Sequence, residues 1–293
     1  MNAAPARWET HRNSVERALR EALDGSRAEN RVVEAMRYSL TAGGKRIRPI
    51  LLLLAHEAAG GRSEAAAQAA AALEMIHTYS LIHDDLPCMD DDDLRRGRPT
   101  CHVAFGEATA LLAGDALLTH AFGLLAEASG IEPTVRCPMI ATHAGAIGYE
   151  GMIGGQMLDL DAEKKNGLSI LELQTIHERK TGAFLEAAPA LGAMAAGASD
   201  ETTAAFREYG RKIGLAFQIA DDLLDVTGTA EEAGKRVGKD AARGKATYPG
   251  LLGIDRSRSR ARELVEEAVR ALPCDTPGGD LAVLARYIVE RIH

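Results

Sequence analysis

Aromatic residues are scarce in this chain of 293 residues: phenylalanine, tyrosine and tryptophan together make up 4% of it. Runs of β-branched residues are also rare, whereas alanine and leucine abound. Strands draw on the first two classes and helices on the last, so the composition disfavours a sheet-rich fold and favours a nearly all-helical one. Only four cysteines occur, at 88, 101, 137 and 274, with neither metal-ligand nor disulfide spacing. They suit a reducing compartment. No uncharged apolar run reaches the ~18 residues that a membrane span needs. The first nine residues lack the apolar stretch of a secretory signal. Both points lead to a cytoplasmic protein without a membrane span. Basic residues are in deficit, 34 against 42 acidic ones for a net charge of −8, which argues against general nucleic-acid binding. No Ser-His-Asp or Cys-His constellation offers a protein nucleophile.

What the chain does contain is two acidic clusters. Asp84-Asp85-Leu-Pro-Cys-Met-Asp90 follows the apolar run 70–82, and Asp221-Asp222-Leu-Leu-Asp225 follows the run 213–220. Carboxylates at the edge of a core call for a cation. Taken alone, 90–93 also suits a solvated acidic face. A second cluster of the same kind favours two walls of one site. Asp221 and Asp225 stand one helical turn apart and share a face, where like charges cost stability unless neutralised. Hard divalent cations take oxygen ligands, and Mg²⁺ uses one or two carboxylates and completes its shell with water and phosphate oxygens. The pattern therefore points to a polyphosphorylated substrate. Neither cluster has the alternating acids, central glycine and closing glutamate of a calcium EF-hand.

Helical periodicity predicts spans at 10–23, 28–40, 48–59, 63–86, 106–128, 133–148, 151–163, 169–194, 200–228, 246–271 and 278–291, separated by glycine- and proline-bearing breaks. The polar stretch 231–244 reads as a loop. No low-complexity linker interrupts the series, so a single all-α domain over 1–293 is expected. Leu111–Leu125 and Leu185–Ala196 are apolar around most of their circumference and are expected inside a large bundle. The acidic clusters would then project from facing helices toward a central cavity.

Diphosphate bound through metal needs cations on its other side, and three places could supply them. In Gly43-Gly44-Lys45-Arg46-Ile47-Arg48-Pro49 the glycines permit close backbone approach, and Lys45 and Arg48 can share a face. A positive helix-start loop is the plainer alternative. Arg95-Arg96 follows the acidic run and suits bidentate phosphate binding, or simple charge balance. Lys180-Thr181, Lys235 and Lys245 complete the set, each lysine alone also consistent with a solvated surface. His77 lies seven residues before Asp84, within ~20° of its face, and reads equally as structural or ligand-binding. Gln218 shares a face with Asp221. Gln156, in Gly154-Gly155-Gln156, suits packing or hydrogen bonding.

These segments together resemble the trans-isoprenyl diphosphate synthases, most closely those of the bacterial farnesyl type. The resemblance is carried by residues 43–49, 81–90, 93–100 and 154–156, by Lys180-Thr181 and by 218–225, and it runs from about residue 10 to the end. It implies an all-helical isoprenoid synthase fold of about ten core helices around a deep cavity, usually in a homodimer. It implies a reaction in which an allylic diphosphate ionises, isopentenyl diphosphate attacks head-to-tail, and a proton is lost, the departing pyrophosphate being the base. Asp84 and Asp90 would be ligands of two Mg²⁺ ions, supported by Asp85. Asp221 would hold a third, with Asp222 and Asp225 nearby through water, and Mn²⁺ could substitute. Arg95, Lys180, Gln218 and Lys235 would contact the allylic diphosphate, with Thr181 orienting it. Lys45, Arg48, His77 and Arg96 would form the isopentenyl diphosphate site. Lys245 would be a late contact.

Product length is read from Tyr79 and Ser80, five and four residues before Asp84. Helix counting puts Ser80 within ~40° of Asp84 and Tyr79 ~140° away. In the resembling family a bulky group here forms the floor that stops the growing tail, and Tyr79 is the aromatic that suits it, giving a farnesyl product. Core packing is the alternative role for that ring. The two-residue insertion Pro87-Cys88 accords with the bacterial farnesyl type. The terminus Arg291-Ile292-His293 matches the family's closing tail only at Arg291. Three further readings stay open: a geranylgeranyl product from the same chemistry, a non-catalytic regulatory subunit, and a terpene cyclase. Intact aspartates speak against the second, and the Asp-Asp-Leu-Leu-Asp form of the downstream motif against the third.

Overall fold

The computed structural model describes residues 6–24, 30–62, 64–163, 165, 167–228, 245–273 and 279–290. Its elements in chain order are α1 (Ala6–Asp24), α2 (Arg31–Leu40), α3 (Ile47–Ala58), α4 (Ala65–Asp84), β1 (Leu94–Arg95), β2 (Arg98–Pro99), α5 (Cys101–Phe105), α6 (Glu107–Ala126), α7 (Pro133–Ile147), α8 (Met152–Ala162), α9 (Ile170–His177), α10 (Ala183–Ala195), α11 (Asp200–Thr227), α12 (Tyr248–Leu252), α13 (Ile254–Ala271) and α14 (Gly279–Glu290). A π-turn, Glu178–Gly182, joins α9 to α10. The all-α expectation holds, since two-residue strands are the whole of the sheet among the described residues. The chain falls into two units, 2–53 with 63–140 and 54–62 with 141–293.

In the first unit α4 is the central element. Its alanines 66, 67 and 69–72, with Leu73, Met75 and Ile76, are buried. A helix apolar on all sides belongs inside, and small side chains let α6 lie close. At that contact the His83 ring occupies the space that a Cβ on Gly114 would fill. His83 Nε2 donates to the Leu111 carbonyl at 3.0 Å. Arg46 is buried in the same unit, with its backbone in the left-handed region at φ 51°. Its guanidinium donates to Glu74 at 2.5 Å, to Glu16 at 2.8 Å and to the Leu40 carbonyl. The hairpin pairs Leu94 with Pro99 and Arg95 with Arg98. Its turn residues, Arg96 and Gly97, both have positive φ, the geometry that suits a tight two-residue hairpin.

In the second unit α10 and α11 lie against each other. A Cβ on Gly210 would meet the Leu185 carbonyl and Pro189, and one on Gly214 would meet Gly182. Glycines at this spacing give a groove that receives α10. Phe184, Leu185 and every residue from Ala187 to Ala193 are buried there. Tyr209 of α11 donates its hydroxyl to the Leu281 carbonyl of α14 at 2.8 Å.

Several expectations need correction. The span 169–194 is interrupted by the π-turn, and 246–271 is broken at Gly253, whose φ of 84° no helix accommodates. The break between the spans 63–86 and 106–128 is present, and it holds a hairpin over 94–99 that leads into the short α5. Leu185–Ala196 is inside, but Leu111–Leu125 is not wholly so: Leu111 and Leu112 are 47% and 53% exposed. α6 is long and apolar enough to cross a membrane, yet it carries Asp115, a charge that is costly inside a bilayer. Cys88, Cys101 and Cys137 are free thiols.

The Arg46 cluster gives a stability test. Arg46→Met would leave Glu74 buried without its cation, which should cost on the order of 3–5 kcal/mol. The double variant Arg46→Met/Glu74→Leu should recover most of that loss in urea unfolding. A single variant as stable as the parent would show that the ion pair is not what holds these helices.

Candidate functional site

The first acidic cluster is built by the way α4 ends. After Asp84 the chain turns tightly, with Met89 and Asp91 N–H donating to the Leu86 carbonyl, and Asp91 in the left-handed region. The Asp90 N–H reaches back to the Asp84 carbonyl at 2.8 Å. The insertion Pro87-Cys88 is thus taken up in a coil that returns Asp90 to Asp84. Both aspartates are half-buried. Asp85 differs: it is 3% exposed and receives Arg95 through Nε at 2.8 Å and Nη2 at 2.6 Å. Burial pushes its carboxyl above the usual range, against the pull of Arg95. Asp85 therefore orients Arg95, whereas Asp84 and Asp90 are reachable.

The basic residues of this unit gather around His77. Arg48 Nη1 lies 3.5 Å from His77 Nε2. Arg96 donates to the Gly43 carbonyl, and a Cβ on Gly44 would run into its guanidinium, so the paired glycines receive an arginine of the same chain. Lys45, next in the chain, is exposed. Burial, then the charges of Arg48, Arg96, Arg95 and Arg46, hold the His77 imidazole well below its ordinary pKa and therefore neutral. The described non-glycine residues with positive φ are Arg46, Asp91 and Arg96. All three fall within the basic and acidic segments at 43–49 and 84–96, and strained backbone of this kind concentrates at functional sites.

Tyr79 is 5% exposed, and its hydroxyl has no hydrogen-bond partner among the described residues. Its ring meets that of His83 edge-on, with centroids 5.6 Å apart. Burial and then Asp84 push the phenol up to about 12. Ser80, better aimed by helix counting, turns its hydroxyl back onto the His77 carbonyl at 2.9 Å.

The second unit carries the other residues. Lys180 and Thr181 sit in the π-turn, a form common at functional positions. Gly155 of α8 lies against the Lys180 backbone, with no room for a Cβ. Lys180 Nζ donates to Asp159 Oδ2 at 2.6 Å. Lys245 Nζ reaches the same oxygen at 3.1 Å and Glu163 Oε1 at 3.0 Å. On α11, Asp221 is half-buried, while Asp222 and Asp225 are 3% and 4% exposed. Asp222 accepts from Gln218 Nε2 at 3.2 Å and from the Tyr248 N–H at 2.9 Å, and lies 3.3 Å from His177 Nε2. His177 in turn stacks on Tyr248. Asp222 thus tethers the start of α12 to α11, and Gln218 is engaged with it. Lys235 and Arg291 lie outside the described residues.

Asp159, Glu163 and His177 escaped the sequence reading. Asp159 was the most accessible of them, since it lies four residues after Gly155 and so on the same face of α8. Gln156 Oε1 is buried without a hydrogen-bond partner among the described residues. Among those residues no three His, Cys, Asp or Glu side chains form a ready cage for an ion. A hard cation that keeps water and phosphate oxygens needs only one or two carboxylates, and Asp84 with Asp90, and Asp221, are of that kind.

Comparison with known proteins gives a consistent result. The family model described as polyprenyl synthetase matches residues 29–276. A farnesyl diphosphate synthase of Geobacillus stearothermophilus is 46% identical over 96% of this chain and 96% of its own. A chloroplastic geranylgeranyl pyrophosphate synthase of Catharanthus roseus is 48% identical over 95% of this chain and 79% of its own. The crystal structure of a FPP/GFPP synthase from Zymomonas mobilis superposes with a TM-score of 0.85 at 39% identity, covering 97% of this chain and 98% of that one.

The buried imidazoles set an acid limit. His77 is held well below 6.5 by burial and arginines, and burial alone lowers His143 to about 4. The unfolded chain therefore takes up protons below pH 6.5 that the folded chain refuses. The stability they allow is complete above that pH and is lost as pH falls through the window below it. Each imidazole that stays neutral in the fold should cost about 1.4 kcal/mol per pH unit. Urea unfolding at pH 7, 6 and 5 should show this fall. A flat profile over that range would mean that both rings take protons in the fold.

Proposed function

Because the chain belongs to the polyprenyl synthetase family and is a prenyltransferase, we propose that it condenses isopentenyl diphosphate head-to-tail with dimethylallyl and geranyl diphosphates. The products are (2E,6E)-farnesyl diphosphate and pyrophosphate. Asp84, Asp90 and Asp221 would hold Mg²⁺, with Asp225 contributing through water. Bound there, the ion neutralises the charge that builds on the departing diphosphate. Arg95, Lys180, Gln218, Lys235 and Lys245 bind the allylic diphosphate, and Thr181 orients it. Lys45, Arg48, His77 and Arg96 take the diphosphate of isopentenyl diphosphate. The neutral His77 adds a hydrogen-bonding group without a further positive charge beside Arg48, 3.5 Å away. Fixed cations stabilise the leaving group without reorganising at the moment of ionisation. The departing diphosphate takes the proton, so no side chain need act as base.

The observation that carries the farnesyl assignment is the buried ring of Tyr79, two turns of helix at most from the first aspartate. Relatives named for farnesyl and for geranylgeranyl products are about equally similar, so length rests on this residue. A geranylgeranyl product is the second reading, favoured by those relatives alone. We further propose a homodimer. Its support is the exposed apolar face of α6, with Leu111 and Leu112, and the neighbouring Val103 at 50% exposure.

Two outcomes test the assignment. Chelation should abolish turnover, and Mg²⁺ or Mn²⁺ should restore it. Asp84→Ala and Asp221→Ala should each raise the barrier by on the order of 3–5 kcal/mol while the fold survives. More than about a tenth of the parental kcat in either variant would remove that aspartate from the metal site. For length, incubation with isopentenyl and geranyl diphosphates should give fifteen-carbon product. Tyr79→Ala should move it toward twenty carbons or more, with the first condensation little changed. A Tyr79→Ala enzyme that still stops at fifteen carbons would put the floor elsewhere.

A further inference from the structure

Two lysines in the second unit share one oxygen. Lys180 Nζ and Lys245 Nζ lie 2.6 Å and 3.1 Å from Asp159 Oδ2, and Lys245 also meets Glu163 at 3.0 Å. The side chains of Asp159, Lys180 and Lys245 are 19%, 28% and 17% exposed, so solvent screens their charges weakly. Two ammonium groups this close repel each other unless an anion stands between them. α8 supplies that anion at a fixed place. Gly155 lets the helix lie directly on the Lys180 backbone, and Asp159 comes one turn later on the same face. Burial opposes ionisation of Asp159, but the two lysines outweigh it and hold its carboxyl below the usual range.

We propose that Asp159 is an internal competitor for the ammonium groups of Lys180 and Lys245, one that keeps them together and prevents pyrophosphate from binding too tightly to leave. This rests on the proposed prenyl transfer, in which both lysines contact the allylic diphosphate. An incoming diphosphate must take the ammonium groups from Asp159 or share them with it. Either way the carboxylate subtracts from affinity. A product held only by cations would dissociate slowly, and release limits turnover in many enzymes. Asp159 is thus a positioning residue that tunes release, with no contact to the reacting carbons.

The test is calorimetric titration of the full chain with inorganic pyrophosphate and Mg²⁺, run beside steady-state kinetics. Asp159→Asn keeps the shape and removes the charge. It should bind pyrophosphate about tenfold more tightly. Its kcat and its KM for geranyl diphosphate should fall together, with KM for isopentenyl diphosphate unmoved. A residue that merely held the fold would weaken binding and raise both KM values. Lys245→Met in the Asp159→Asn background should remove most of the tightening. Glu163→Gln should tighten binding in the same direction and to a smaller degree, and it carries the test if Asp159→Asn does not fold. Folded variants that bind pyrophosphate no tighter than the parent overturn the proposal. A parent chain that binds pyrophosphate with Mg²⁺ but elongates no allylic primer overturns the prenyl-transfer assignment instead, and leaves the competition for the lysines standing.

Discussion

The cost of taking charge out of water governs this molecule. Four carboxylates with little solvent contact have assigned partners of opposite charge or N–H donors. Glu74 has Arg46, Asp85 has Arg95, Asp159 has Lys180 and Lys245, and Asp222 has the Tyr248 N–H with Gln218. A buried charge without such a partner would be prohibitive. Asp84, Asp90 and Asp221 are half-buried. Within each pair, Asp84-Asp85 and Asp221-Asp222, the more deeply buried second acid organises the protein and the first is the more reachable.

That separation is why the residue types were legible in the sequence and their partners were not. Alanine and leucine content gave the fold class, and the long apolar runs gave α4 and α11. The basic stretch 43–49 was recognisable, but nothing local says that Arg46 turns inward while Lys45 stays exposed. Its partners, Glu16 and Glu74, come from helices far away in the chain. Helix counting put Asp221 and Asp225 on one face and treated Asp222 as their neighbour. The claim on Asp222 comes from Tyr248, on a segment that rejoins α11 after the stretch 229–244. The outward face of α6 was hidden for a related reason: a helix apolar on all sides reads as core whether its cover lies within the chain or not.

The arginine-rich surroundings of His77 have a chemical meaning of their own. An imidazole among cations stays neutral at the pH where an isolated one begins to titrate, so it can serve as a hydrogen-bonding wall whose charge does not vary with conditions. Gly43 and Gly44 belong to the same arrangement. The Arg96 guanidinium fills the space where a Gly44 side chain would stand and donates to the Gly43 carbonyl, and Arg96 reaches it from a left-handed turn position.

The π-turn at Glu178–Gly182 carries one residue more than an α-helical turn would use. Deleting a residue there would give a more regular helix, and by propensity a more comfortable one. It would also rotate α9 by about 100° relative to α10, and shift Lys180, which lies on Gly155, relative to Gly182, which lies on Gly214. Chain length at this point is therefore information. Substitutions in the turn can be tolerated one at a time, whereas a change of a single residue in its length cannot be repaired locally.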